Sequence, residues 1–72
     1  DMRLYRLLTG PDDAAFCARV ERMLNKGWEL HGSPTIAFHH SKGVMYCSQA
    51  IVKETDGDYA GFVSLKELHP ED

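Results

Sequence analysis

Apolar and polar positions change their period several times along this chain. Residues 3–8, RLYRLL, alternate imperfectly and stop at Thr9 and Gly10, which predicts a short strand. Phe16, Val20, Met23 and Leu24 then recur at three- and four-residue steps with Cys17 beside them. That is the stripe of an amphipathic helix whose Arg19, Glu21, Arg22 and Asn25 face water. From Trp28 the period returns to two, with Trp28 and Leu30 on one side and Glu29 and His31 on the other, so a second strand follows. Gly32, Ser33 and Pro34 interrupt it, and since Pro34 cannot donate to a central ladder the chain bends, bulges or leaves the sheet there. Extended chain resumes over 35–38, and HHSKG is expected as a five-residue turn. The longest strand candidate, 44–53 (VMYCSQAIVK), then pairs back as a hairpin.

The helix boundaries carry their own chemistry. Pro11 lacks the amide hydrogen that a first-turn position leaves unpaired anyway, and Asp12 and Asp13 suit the positive end of the helix dipole. Thr9 or Gly10 is the expected cap; with Thr9, Asp12 stands at capping-box spacing. Gly27 supplies the positive φ of a helix stop at Lys26, within a residue or two, and Trp28 is expected to fold back on Met23 in a Schellman arrangement.

The segment ETDGD at 54–58 reads as a charged turn. Beyond it, Tyr59, Phe62, Val63, Leu65 and Leu68 are too apolar for a solvated tail, and Ser64 with Glu67 has capping-box spacing. The chain is thus divided into a domain at 1–54 and a partly ordered tail at 55–72 that docks on its own or a neighbouring subunit. The order strand, helix, strand, strand predicts a small two-layer α+β domain, one helix packed on a mixed sheet of three strands with room for a fourth. Its first two strands are expected to be parallel, as neighbours or with one strand between them, through a right-handed crossover. One helix covers one face. The other face carries some of Tyr5, Leu7, His31, Tyr46 and Ser48, a semi-apolar surface that a monomer leaves bare.

Size sharpens that expectation. A chain of 72 residues buries a small core and needs disulfides, a metal or a partner subunit to support it. Two cysteines, Cys17 and Cys47, cannot build a cross-linked secreted framework, although one bond between them is open. A homo-oligomer, with a dimer favoured, is therefore the expected quaternary state. No apolar run reaches the roughly 20 residues of a membrane span and the start lacks the apolar stretch of a secretion signal, so a cytoplasmic location without a membrane partner is expected. Met2 is read as the natural start, with Asp1 an added residue. Eight basic against eleven acidic residues give a net charge of −3, which opposes nucleic-acid binding.

Candidate chemistry is sparse. His31, His39, His40, His69, Cys17 and Cys47 include no CxxC pair and no helical HxxxH, so no metal site and no cofactor is expected. Cys17 reads as a small buried hydrophobe. Cys47 with His31 or His39 would be the choice for nucleophilic catalysis, but nothing in the sequence brings them together, and so small a domain encloses no sizeable pocket alone. The TGPD stretch resembles an anion cradle, which the two aspartates would spoil. What stands above background is the Gly32, Ser33, Pro34 interruption beside His31, with Thr35 and Ser48 nearby. A strand bend without a ligand is favoured there over a groove for a peptide or tail.

The words YRLLTGPDDAAFC, NKGWELHGSP and QAIVKE, spread over residues 3–54, resemble an uncharacterised bacterial family, domain of unknown function 1737. The resemblance implies a fold and no activity. The leading expectation is a noncatalytic, self-associating accessory module that binds another protein through a sheet edge or face. The alternative is a small-molecule sensor or minor enzyme with a site between subunits, built from His31, Gly32, Ser33, Pro34, Tyr46 and Cys47.

Overall fold

The computed structural model describes residues 1–57, so the tail from residue 58 onward, with its capping-box pair, lies outside the described residues. The elements follow in the order β1 (Met2–Pro11), α1 (Ala14–Asn25), β2 (Glu29–His39) and β3 (Val44–Thr55). The sheet has the order β1-β3-β2, and β3 pairs antiparallel with both neighbours. β1 and β2 are therefore parallel with β3 between them. The expectation of a mixed sheet is corrected: every pairing is antiparallel, because the last strand enters between the first two as the hairpin partner of β2.

β1 runs beyond the expected 3–8 because its ladder with β3 continues through Gly10 opposite Cys47 and Pro11 opposite Tyr46, then through Asp12 N donating to Met45 O at 2.9 Å. Pro11 is tolerated there because β1 is an edge strand that ends at it. Thr9 and Gly10 are thereby committed to the sheet and cannot cap the helix. Asp13 does so instead, its extended backbone (φ −147°, ψ 175°) presenting Oδ1 to Phe16 N at 2.9 Å. Asp12 and Asp13 both precede Ala14, so neither lies within the first turn, and it is Asp13, as the cap, that meets the positive end of the helix.

At the other end the helix stops as its sequence predicts. Gly27 has φ +96°. Its amide donates to Leu24 O at 3.2 Å while that of Trp28 donates to Met23 O at 3.2 Å, the two bonds of a Schellman motif. The motif turns Trp28 back into the core, where it is 3% exposed and Met23 is 1% exposed. Leu4 and Leu8 of β1 and Ile51 of β3 complete this buried cluster, with Met2, Phe16 and Val20 packed against it. Cys17, expected inside, is exposed. It follows Phe16 on the helix and lines an open groove with Leu30 and Pro34 of β2, while α1 makes its main contact with β1.

β2 is one continuous strand with a bulge. His31 opposes Ala50 and Thr35 opposes Ser48, so β2 advances four residues while β3 moves two. Gly32, at φ +73°, lies in this interval with Ser33 and Pro34. The hairpin turn is 40–43, shorter by one residue than expected, because His39 still pairs with Val44; Gly43 N donates to His39 O at 2.8 Å.

Candidate interaction surface

Successive side chains in a strand point to opposite faces, and directly opposed residues share a face. Leu4 and Leu8 of β1 and Ile51 of β3 belong to the core cluster, so Tyr5, Leu7 and Thr9 of β1 and Tyr46, Ser48, Ala50 and Val52 of β3 stand on the opposite face. The pairing with β2 adds Glu29, His31, Thr35 and Ala37 to it. All five residues expected on this face are on it.

The register lays the face out as rows across β1, β3 and β2. Tyr5, Val52 and Glu29 form one row, and Leu7, Ala50 and His31 the next. A polar row of Thr9, Ser48 and Thr35 follows, in which the Thr35 and Ser48 hydroxyls are hydrogen-bonded to each other. Pro11, Tyr46 and Ala37 make the fourth. Tyr5 is 58% and Leu7 51% exposed. Charge sits at the ends and along the β2 side: Arg3 opposes Glu54, Glu29 flanks Val52, and Lys42 Nζ donates to Tyr46 Oη at 2.8 Å. The His39 ring lies 4.8 Å from that of Tyr46, so the turn end of the face is closed by an aromatic pair under a cation.

The residues singled out for a ligand site are spread over both faces. His31 and Tyr46 share the open face but stand two rows apart, about 13 Å along the strands. Cys47 points the other way, toward Gly10, whose carbonyl lies 3.5 Å from its sulfur. Burial pushes the Cys47 thiol above its ordinary pKa, helped by the charges of Asp12, Cys17 and Asp13, so it is held as a thiol rather than as a nucleophile. Pro34 lines a groove on the core side together with Phe16, Cys17, Val20, Leu30 and Gln49. Among the described residues, no group of three or more His, Cys, Asp or Glu gathers that could hold a metal, and no helix is long and apolar enough to cross a membrane.

Gln49 was not singled out from sequence. It is the buried polar residue of the cluster region, and its Nε2 donates to Ala50 O at 2.9 Å, Gly32 O at 3.3 Å and His31 O at 3.4 Å. One amide thereby clamps the bulge and holds His31 on the open face. The signal in the sequence is a glutamine on the core-facing parity of β3, between Cys47 and Ile51.

The family model described as a domain of unknown function (DUF1737) matches residues 2–54, in agreement with the span expected from the sequence words. No curated protein and no solved structure matches the chain.

Proposed function

The chain belongs to the DUF1737 family, and from that premise we propose that it is a noncatalytic interaction module, a two-layer unit that pairs with a second copy of itself through the open face of its sheet. The observation that carries this reading is the pairing of Tyr5 with Val52 and of Leu7 with Ala50 on the face turned away from the core. The economy of apolar residues supports it. Five apolar side chains are buried, and of the eight large ones left exposed among the described residues Tyr5, Leu7 and Val44 lie on this face. A domain of this size has little core to spare.

The dimensions set the strength. Twelve residues of β3 span about 40 Å and three strands about 14 Å. Two such faces stacked cover roughly 1,100 Å² in projection, close to the lower limit of about 1,000 Å² for a specific interface. The pair is therefore weak and exchanges with monomer, as suits an accessory module that hands the same face to a partner protein. Sedimentation equilibrium over a dilution series tests this: the wild-type chain shifts from dimer to monomer on dilution and the Leu7→Asp variant is monomeric throughout. A wild-type chain that is monomeric at every concentration refutes it.

A further inference from the structure

Helix α1 leaves part of its own side of the sheet bare. Leu30, Ile36 and Phe38 of β2 oppose Ile51, Cys47 and Met45 of β3, so they stand on the core-facing side, yet each is about half exposed. Between Leu30 and the helix runs a largely apolar groove of about 320 Å³, walled by Phe16, Cys17, Val20 and Glu21 on α1 and by Leu30 and Pro34 on β2, with Gln49 of β3.

We propose that this groove is the seat of the chain's own C-terminal segment, 58–72, which lays Phe62 and Leu65 against Phe16, Val20 and Leu30. Three observations select this occupant. The segment carries Tyr59, Phe62, Val63, Leu65 and Leu68, and Phe62, Leu65 and Leu68 fall at three-residue steps, a spacing suited to one apolar edge. The chain also arrives in the right place: β3 ends at Thr55, four strand residues or about 13 Å beyond Ile51, the partner of Leu30. Residues 56–62 reach up to about 23 Å when extended, enough to set Phe62 in the groove. Finally, Gly57 is exposed at φ +112°, a backbone conformation open to glycine that allows a change of direction just past the end of β3. A tethered segment has an effective concentration in the millimolar range, which a free partner of similar chemistry does not match.

The test uses Cys17 as a reporter on the groove wall. In the full chain, iodoacetamide alkylation of Cys17 is followed by mass spectrometry for wild type and for a Phe62→Asp, Leu65→Asp double variant, with the emission of buried Trp28 verifying the fold. Seating predicts about a tenfold faster reaction in the variant, equivalent to ~1.4 kcal/mol of docking, and protection in wild type that is independent of protein concentration. Equal rates overturn the proposal. Protection that fades on dilution also overturns it, because the cover would then be a second copy. Leu30→Asp supplies the reverse perturbation: trypsin cleavage after Lys66, inside the segment, accelerates about tenfold if the groove holds the segment, and unchanged cleavage refutes the seating.

Discussion

Replacing Gly27 by valine isolates what the helix stop contributes. Gly27 has φ +96°, and a Cβ built there meets Lys53 Cε at 3.5 Å, an ordinary contact with the far end of a flexible side chain. Space is available, so the cost is in the backbone. Left-handed conformation costs an L-residue roughly 1–2 kcal/mol, and a branched side chain sits at the upper part of that range. Alanine meets the same left-handed penalty without the added crowding of a branched side chain, and asparagine accepts left-handed angles more readily than either. We expect Gly27→Val to lose about 1.5 kcal/mol, Gly27→Ala about 1 and Gly27→Asn about 0.5. For a domain of this length the valine loss corresponds to a fall in Tm of roughly 6–12 °C. Urea unfolding followed by Trp28 emission is the assay, since Trp28 is the single tryptophan and is 3% exposed. The loss reflects the Schellman bonds that turn Trp28 into the core, so native Trp28 emission in Gly27→Val should also move toward the solvent value. Valine within about 0.3 kcal/mol of wild type, or valine and asparagine costing the same, would refute the backbone argument.

Three further outcomes follow from the same geometry. Gln49→Ala removes the clamp on the bulge; one bond is short and the other two are long and end on exposed β2 backbone that water can reach, so the loss is about 1.5 kcal/mol, and the His31 and Gly32 amides exchange with deuterium faster than those of β1. Asp13→Ala deletes the helix cap and costs ~1 kcal/mol by thermal unfolding, whereas Thr9→Ala, at the cap position expected from sequence, leaves the helix content of the circular dichroism spectrum unchanged. The Cys47 thiol, raised by burial, favours the folded state's neutral form. Its contribution is intact below the thiol's unfolded pKa and is lost as pH rises through the higher folded value, so Cys47→Ser should flatten the alkaline limb of the stability curve. An alkaline limb identical in both proteins would contradict this.

Much of the fold is written locally. The helix stop needed Gly27, Trp28 and a stripe that includes Met23, all within a few residues, and the structure follows that reading to the individual hydrogen bond. The open face was equally legible, because strand parity fixes which side Tyr5, Leu7, His31, Tyr46 and Ser48 take once one partner of each strand is known to be inside. What failed depended on distant pairing. Pro11 looks like a first-turn residue until β3 extends the ladder to Tyr46, and only then does the cap move from Thr9 or Gly10 to Asp13. Cys17 looks internal until the helix is seen to lean toward β1 and leave the β2 side open. Gln49 gave a weak signal because a buried amide is recognised by the carbonyls it meets, and those of His31 and Gly32 come from a bulge whose register no local pattern sets. The candidate ligand-site residues rest on residue type and on the Gly-Ser-Pro bend, neither of which sets a common face, and the alternation of β3 sends Tyr46 and Cys47 to opposite faces.

The most direct test of self-pairing through the open face is a dilution series of amide correlation spectra of the full chain. Pairing predicts concentration-dependent shifts gathered at Tyr5, Leu7, Ala50 and Val52, the rows formed by β1 and β3, with Ile36 and Phe38 on the other side of the sheet unmoved. Spectra that do not change with concentration, or shifts gathered instead at Leu30, Ile36 and Phe38, would contradict it.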